Sequence, residues 1–321
     1  MSVPTSVASK SSTRSIGAIL IDAGKLKLDD VERILRLQRE KGLRFGDAAK
    51  NLKLLNDADI AYALSAQFNY PYLYAGESRV SHHVVAAYNP FSPQVEVLRA
   101  IRSQLMLRWF NSIEPKRNSN LNPPLHFKNI QSAVTENTQN KISLKDRRYS
   151  LAFTSPHRGD GRSWLVANLG VVFSQLGERT LIIDADLRHP CQHRLFGINN
   201  QLGLSALLSG RSHGDNIQRI DGLLDLSILS AGAQPPNPQE LIGRPRFTTL
   251  LDELTTQYDV ILIDTPASGN YADSQTLAAR AGGTVIVTRC NETRSNAVRA
   301  LNQSLSQSGS IVVGTILNQM N

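Results

Sequence analysis

The feature that most constrains this chain of 321 residues is a glycine-containing loop between an apolar run and a helical pattern. The run Ser150–Thr154 leads into the loop 155–163, and residues 164–176 have a helical pattern. Gly159 and Gly161 let backbone N–H groups approach an anion without a Cβ in the way. The N-terminus of the following helix adds partial positive charge. This order of strand, glycine loop and helix predicts a phosphate-binding loop.

The side chains of the loop indicate how phosphate and Mg²⁺ would be held. Ser163 offers a hydroxyl ligand for Mg²⁺, and Arg162 stands where such loops carry lysine. Arginine keeps the positive charge but presents it as a rigid planar fork, and Pro156 replaces a usual glycine. For the loop alone, an ordinary turn between strand and helix is the alternative interpretation. The predicted nucleotide-binding set is Arg158, Gly159, Asp160, Gly161, Arg162, Ser163 and Trp164.

Carboxylates follow two further apolar runs. Asp184 and Asp186 lie at the end of one run, and Asp264 ends another. The carboxyl ends of neighbouring parallel strands meet at one edge of a sheet, where carboxylates can hold Mg²⁺ or accept a proton. A lone Asp at a strand end is more often a helix cap. The strand before the loop and the two strands that end in carboxylates are expected to end in one crevice. We therefore predict a nucleotide-binding site there.

Six apolar runs alternate with helical stretches in the second half of the chain. They are nearly continuous, as expected of strands buried on both faces of a sheet. We therefore predict an α/β fold, with a P-loop, doubly wound, mostly parallel sheet that is preceded by a small all-helical domain. The runs are Ser150–Thr154, Thr180–Asp184, 224–229, Val260–Asp264, 284–288 and 311–317.

The first part of the chain contains an internal repeat with an offset of 29 residues (46 − 17), which matches Gly17 with Gly46 and Leu26 with Leu55. In each copy a short apolar helix leads into an amphipathic helix with an Asp near its start. This pattern predicts a flexible tail at 1–13, a helical domain at 14–75 and a linker at 76–88.

The P-loop domain is predicted to span residues 89–321. It contains a flexible insertion at 111–147, which is rich in Asn, Ser, Pro and Lys and has few periodic apolar residues. Before the insertion, a helix over about 94–109 carries Glu96, Arg99 and Arg102 at a spacing of three. These three side chains therefore share one face of the helix.

Composition argues against several classes of protein. The formal net charge is +8, but the basic residues are scattered and form no block with aromatics, so nucleic-acid binding is not predicted. The two cysteines have neither metal-binding nor disulfide spacing, which indicates a reducing cytosol. No apolar run reaches the roughly 18 residues of a membrane span.

Together these motifs resemble those of the bacterial tyrosine kinases. The glycine loop, the run ending in Asp184 and Asp186, and the run ending in Asp264 are similar to their Walker A, A′ and B motifs. The segment 229–241 and the spacing of Glu96, Arg99 and Arg102 also resemble that family. The loop 158–163 is most similar to the EpsG-type branch, the chain-length determinant kinases of exopolysaccharide biosynthesis.

The resemblance implies an ATP-dependent protein tyrosine kinase. It assigns Ser163 and Asp264 to Mg²⁺ and Arg162 to the phosphates. It makes Asp184 and Asp186 candidates for proton acceptance from tyrosine and for metal support, with Asp186 in the predicted metal set, and which residue has which role stays open. It also implies that Asn318 lies near the base and that Glu96, Arg99 and Arg102 mediate ring assembly. We further expect a cytoplasmic protein that acts at the inner membrane through a membrane polysaccharide co-polymerase.

The N-terminal repeat resembles the MshEN-type domain that precedes secretion and pilus ATPases, some of which bind cyclic di-GMP. On that resemblance, Arg44, Gly46 and Gln67 would form a binding half. Arginine suits stacking on guanine or pairing with phosphate. A protein docking module is the other hypothesis for this domain.

Two alternatives to a kinase stay open at this point: a non-catalytic switch that binds ATP, and a positioning-type ATPase. The loop lacks the extra lysine expected of the positioning ATPases. The last tyrosine of the chain is Tyr271, so no tyrosine cluster follows the P-loop domain's final strand. If the protein is a kinase, we expect its acceptor tyrosine on another protein or upstream in this one.

Overall fold

A computed structural model describes residues 15–68, 70–73, 76, 78–110, 149–212, 216–223, 225–269 and 271–319. The chain divides into two compact units, Met1–Tyr72 and Leu73–Asn321. The predicted tail at 1–13 and the predicted insertion at 111–147 lie outside the described residues.

The first unit is helical, and its helices carry the repeat seen in the sequence. They are α1 (Ile16–Asp22), α2 (Leu28–Lys41), α3 (Phe45–Asn51) and α4 (Asp57–Phe68). Helix α3 begins 29 residues after α1 (45 − 16), and α4 begins 29 residues after α2 (57 − 28). Helix α1 contacts α4 while α2 contacts α3, so the two halves interlock.

Equivalent glycines allow the close packing of these helices. A Cβ on Gly17 would lie 3.3 Å from Val31 Cγ1, and one on Gly46 would lie 3.2 Å from Ile60 Cδ1. Leu26 and Leu55, also equivalent, are both buried. The repeat also keeps its backbone conformation where the residue type differs: Gly24 has a φ of +68°, and its counterpart Lys53 adopts +56° despite its side chain. The spacing of apolar and small residues therefore explains how the helices of the first unit pack together.

The second unit is built on a sheet whose strands are β1 (Ser150–Thr154), β2 (Thr180–Asp184), β3 (Ile217–Arg219), β4 (Leu226–Leu229), β5 (Val260–Asp264), β6 (Gly283–Arg289) and β7 (Ile311–Asn318). Their order across the sheet is β3-β4-β2-β5-β1-β6-β7. Strand β3 is antiparallel to β4, and the other neighbours are parallel. The predicted mostly parallel α/β fold is confirmed.

Helices cover both faces of this sheet. They are α5 (Val85–Tyr88), α6 (Pro93–Arg108), α7 (Arg162–Ser174), α8 (Gln192–Phe196), α9 (Leu204–Ser209), α10 (Pro238–Gly243), α11 (Pro245–Leu254), α12 (Asp273–Ala281) and α13 (Ser295–Gln307). Successive residues of a strand pack against the helices on opposite faces of the sheet. Leu151 and Phe153 pack with α6 and α7, whereas Ala152 packs with α11 and α12. Each strand is therefore apolar on both sides, which explains the nearly continuous apolar runs.

The structure differs from the prediction at two places. Strand β3 has no apolar run, because it is a short, half-exposed edge with polar side chains such as Gln218. Residues of the predicted linker belong to the second unit: Val80 and Val84 are buried in its core. The N–H of Ala86 also donates to Asn168 Oδ1 of α7 at 2.9 Å.

The strand order determines where the site lies. Strand β5 lies between β1 and β2, with Phe153 of β1 and Asp184 of β2 both in register with Asp264. The carboxyl ends of these three strands therefore meet at one edge of the sheet, directly beside the loop 155–163.

Candidate active site

The glycine loop is shaped by two left-handed residues. Gly159 has a φ of +93° and Gly161 a φ of +91°, a region that side chains other than glycine's rarely adopt. Gly161 caps α7, and the first helical hydrogen bond is from Leu165 N–H to Gly161 O at 3.0 Å. The N–H groups at the start of α7 therefore lack a carbonyl partner within the helix and are available to an anion.

Asp160 fastens the loop to the other end of the fold. Its Oδ2 accepts the N–H of His157 at 2.9 Å, and its Oδ1 accepts the hydroxyl of Thr293 at 2.9 Å. Asn318 Nδ2, at the end of β7, donates to Asp160 O at 3.1 Å. Asn318 thus contacts the loop backbone, and its placement near a nucleotide base stays a prediction. Thr293 was not anticipated, because a single threonine between strand and helix carries no sequence signal.

Arg162 bridges three segments with its planar guanidinium group. Nε donates to Thr265 O at 2.9 Å, and Nη1 donates to Ser155 Oγ and to His157 O. Nη2 lies 3.8 Å from Asp186 Oδ2. These contacts use the fork of donors that an arginine has and a lysine lacks. Arg162 therefore ties the loop to the end of β5 and to Asp186.

Asp184 and Asp264 form a fully buried pair of carboxylates in register across β2 and β5. Asp184 Oδ2 accepts the N–H groups of Cys191 and Gln192 at 3.0 and 2.9 Å. The Oδ1 atoms of both carboxylates are buried and lack a hydrogen-bond partner among the described residues. This geometry leaves one oxygen of each group for a ligand.

Burial and mutual repulsion explain the electrostatics of this pair. Burial, followed by the charge of Asp264, raises the pKa of Asp184 well above its ordinary value. Burial also raises the pKa of Asp264 to about 6, although Arg162 and Ser163 pull it down in part. Two such carboxylates favour a cation between them.

Gln192 links the three motifs and was missed in the sequence. Its Nε2 donates to Asp264 Oδ2 at 2.7 Å and to Ser163 O at 3.1 Å, while its backbone N–H binds Asp184. The side chain is fully buried. Next to it, burial and then the charge of Asp264 raise the pKa of the Cys191 thiol to about 12. A polar residue after a Walker A′-like run was the available, weak signal.

Asp186 has backbone partners of its own. Its Oδ1 accepts the N–H groups of Arg188 and His189 at 3.2 and 2.9 Å. Together with Arg162 it lines a cavity of about 190 Å³. The other walls of this cavity are Pro156, His157, Arg158, His189, Pro266, Ala267, Gly269 and Tyr271.

A divalent cation fits the donor set without a cage of protein ligands. Within the described ranges, no group of three or more His, Cys, Asp or Glu side chains is arranged to hold a metal. Mg²⁺ usually keeps several waters and takes one or two carboxylates plus phosphate oxygens. The partnerless oxygens of Asp184 and Asp264 match that pattern.

Several other predicted residues lie away from the loop or have structural partners. Trp164 packs partly buried against the core under α7. Arg99 pairs with Glu96 at 2.8 Å, and Arg102 Nη1 donates to Val172 O of α7 at 2.7 Å. Only Glu96 of this triplet has a largely exposed side chain, at 72%.

In the first unit, Gly46 has a packing role against Ile60, as described above. Arg44 precedes α3 without a side-chain capping bond, and Gln67 is an exposed residue of α4. Close packing against Ile60 therefore accounts for glycine at position 46 without any ligand.

A glycine loop at a helix N-terminus, facing carboxylates at the ends of two neighbouring parallel strands, defines the class of P-loop nucleotide-binding proteins. No protein-family model matches the chain. The tyrosine-protein kinase YwqD of Bacillus subtilis is 34% identical over 191 residues, which cover 59% of this chain and 81% of YwqD.

Solved structures agree with this similarity. The kinase domain of the Escherichia coli tyrosine kinase ETK has a TM-score of 0.60 at 27% identity, covering 74% of this chain and 80% of that domain. The chimerical protein CapA2B2 has a TM-score of 0.59 at 29% identity, covering 80% of this chain and 97% of that one. The chain belongs to the bacterial tyrosine-protein kinases.

Family membership confirms the prediction of a tyrosine kinase. The more specific resemblance of the N-terminal repeat to MshEN-type domains is not supported by these similarities and stays a prediction. As for the membrane, none of the helices in the described part of the chain combines the length and apolar character needed to cross it.

Proposed function

We propose that this protein transfers the γ-phosphoryl group of ATP to tyrosine and holds Mg²⁺ with Ser163, Asp184 and Asp264. The observation that carries the proposal is the buried carboxylate pair, each member with a partnerless oxygen beside the phosphate loop. Isolated buried carboxylates are costly, and a divalent cation offsets that cost. The sequence put Asp186 in the predicted metal set and left the roles of Asp184 and Asp186 open. We assign Asp184 to the metal, because its Oδ1 is buried without a partner among the described residues, whereas Asp186 lines the cavity.

The loop and α7 would bind the phosphates. Backbone N–H groups around Gly159 and Gly161, together with the start of α7, donate to phosphate oxygens. Arg162 supplies positive charge on the side of the loop that faces Asp186. Mg²⁺ held by Ser163, Asp184 and Asp264 would supply positive charge against the phosphates of ATP.

In this proposal Asp186 receives the proton of the acceptor tyrosine. The phenol oxygen bonds to the γ-phosphorus while the bond from that phosphorus to the β–γ bridging oxygen breaks, and ADP leaves. The phenolic proton passes to the Asp186 carboxylate, which lines the cavity where the acceptor would enter. Positioning and charge stabilisation supply most of the catalysis in such transfers.

Labelled ATP tests this assignment directly. We expect Asp186→Asn to bind Mg²⁺ and ATP like the parent, but to transfer phosphate to a tyrosine peptide about 100-fold or more slowly. Asp184→Asn should in addition weaken the Mg²⁺ dependence of ATP binding, measured by calorimetry. Asp221→Asn, an exposed substitution of the same kind, should match the parent. Wild-type Mg²⁺ dependence in Asp184→Asn would contradict the metal assignment.

A non-catalytic switch is the second candidate, and the position of Arg162 favours it. Its guanidinium group is already engaged by Thr265, Ser155 and Asp186, so bonds to a transferring phosphate would compete with those contacts. If ATP binds but no tyrosine is labelled, even with the cytoplasmic segment of a membrane partner present, the switch is correct. Arg162→Ala should then weaken ATP binding alone.

The cellular role follows from the family resemblance. We propose that the kinase regulates chain length or export of an exopolysaccharide and reaches the inner membrane through a co-polymerase partner. The exposed carboxylate of Glu96, on the outer side of α6, supports self-association through this helix. For the first unit, both a protein docking role and cyclic di-GMP binding at Arg44, Gly46 and Gln67 stay hypotheses.

A further inference from the structure

Tyr271 is an exposed aromatic residue on the wall of the cavity. It lies between β5 and α12, and its side chain is 39% exposed. The cavity also contains Asp186 and Arg162, which belong to the proposed transfer machinery. The functions proposed above for the cavity residues give the ring of Tyr271 no task.

The ring of Tyr271 is held by an arginine with a fixed position. The guanidinium carbon of Arg188 lies 3.8 Å from the ring centroid. Arg188 makes a bidentate contact with Asp273, at 2.6 and 3.2 Å, and Asp273 is only 1% exposed. Stacking of a guanidinium group on an aromatic face is favourable, more so when it is shielded from water. The wall is therefore ordered before any ligand arrives.

The same arginine also orders the proposed proton acceptor. The backbone N–H of Arg188 donates to Asp186 Oδ1 at 3.2 Å, while its side chain stacks on Tyr271. Ring and carboxylate are thus fixed relative to each other through a single residue. Such a second layer of contacts is what holds a reacting group in a productive geometry.

The cavity and Asn318 lie at different positions along the carboxyl edge of the sheet. The cavity walls come from the ends of β1, β2 and β5. Asn318, the proposed neighbour of the base, lies on β7, which β6 separates from β1. A nucleotide extending from the loop towards Asn318 would leave the cavity open.

We propose that Tyr271 forms the aromatic wall of the subsite that receives the acceptor tyrosine, an inference that rests on the proposed kinase function. The cavity of about 190 Å³ exceeds the roughly 150 Å³ in which an engineered protein cavity binds benzene. A phenol ring stacked or edge-on against Tyr271 gains the usual aromatic pair interaction. Such a wall would select tyrosine over serine and threonine, which offer no ring.

The test compares Tyr271→Phe, Tyr271→Leu and a matched control, Tyr149→Leu. Tyr149 is similarly exposed, at 42%, but lies at the amino end of β1, away from the cavity. Phosphorylation of a tyrosine peptide is measured over a range of peptide and ATP concentrations. Tyr271→Phe should keep the parental kcat/KM for the peptide, because the ring remains. Tyr271→Leu should lower it by about five- to tenfold, mainly through KM for the peptide.

The outcomes separate this inference from the function beneath it. If the parent labels no tyrosine, the kinase proposal fails and the inference with it. If the parent is active and Tyr271→Leu has the same kcat/KM for the peptide as Tyr149→Leu, the proposed role of Tyr271 is wrong, but the proposed kinase activity is unaffected. A third outcome is that tandem mass spectrometry finds phosphate on Tyr271 itself, and that Tyr271→Phe loses both this phosphate and the labelling of the peptide. That result would also overturn the inference, because Tyr271 would then be an acceptor.

Discussion

At the scale of single residues, the site combines unfavourable burial with compensating contacts. Asp184 and Asp264 are each fully buried, yet one oxygen of each has no partner in the described part of the chain. Gln192 and the backbone N–H groups after Pro190 satisfy the remaining oxygens. Such a site is less stable without its ligand, and part of the binding free energy of a cation offsets that cost.

This instability predicts a pH dependence for the ligand-free protein. Burial raises the pKa of Asp264 from 3.8 to about 6, so the folded state favours the protonated form. The contribution of Asp264 to stability is therefore fully present below about pH 4 and is lost as the pH rises through about 6. Asp264→Asn, which removes that charge, should be more stable than the parent at pH 7 by roughly 2 kcal/mol, and the difference should vanish near pH 4.

Thermal unfolding without nucleotide or Mg²⁺, followed at both pH values, measures the difference. Asp221→Asn, an exposed aspartate, serves as the control and should match the parent at both. If the parent is at least as stable as Asp264→Asn at pH 7, burial of the Asp264 charge does not destabilise the ligand-free protein, and the prediction is wrong. Addition of Mg²⁺ and ATP should stabilise the parent more than the variant.

At the scale of secondary structure elements, close contacts fix the helix that precedes the insertion. Trp109 follows α6 and is 4% exposed, and its Nε1 donates to Ser150 O at 3.1 Å. The ring also covers Gly283 at the start of β6. One end of α6 is thus attached to β1 and β6, and Arg102 attaches its middle to α7. The helix that carries Glu96 is therefore rigidly placed on the sheet.

Gly283 and Gly314 provide a matched pair for testing this contact. Both lie in neighbouring strands, but a Cβ on Gly283 would be 2.3 Å from Trp109 Cζ2, whereas one on Gly314 would have no atom within 4 Å. Gly283→Ala should lower the free energy of unfolding by roughly 1–3 kcal/mol through overpacking. Gly314→Ala should be neutral or slightly stabilising. Denaturant titration of both variants checks this, and equal stabilities would disprove the contact.

At the scale of the whole molecule, the chain contains two units of different architecture. The helical unit is a repeat closed on itself, while the α/β unit carries every residue of the proposed transfer site. Glu96 lies on α6 of the α/β unit, outside the repeat. Association through α6 would therefore be a property of the second unit.

Glu96→Ala tests that association. We expect the variant to form smaller assemblies than the parent in light scattering, with unchanged thermal stability, because an exposed ion pair contributes only about 0–1 kcal/mol. Glu292→Ala removes an equally charged, exposed residue of the same unit and should assemble like the parent. A parent that stays monomeric at all concentrations would rule out the ring, and an unaffected Glu96→Ala would place the interface elsewhere.

What the sequence determined by itself were features with local or periodic causes. Continuous apolar runs predicted the parallel strands, the 29-residue repeat predicted the helical unit, and the glycines predicted the phosphate loop. Each of these depends on neighbours in the chain or on burial of both faces of a strand, and so is visible without a fold. Predictable too was the convergence of Asp184 and Asp264, since parallel strands end at a common edge.

Only the tertiary structure decided the partners within the site. Gln192 bridges two carboxylates, Thr293 braces Asp160 from far along the chain, and Arg188 stacks on Tyr271 because strand order brings distant loops together. The same holds for the short edge strand β3 and for the buried residues of the expected linker. Contacts between segments widely separated in sequence leave no periodic trace, because each involves one side chain and a partner that the fold selects.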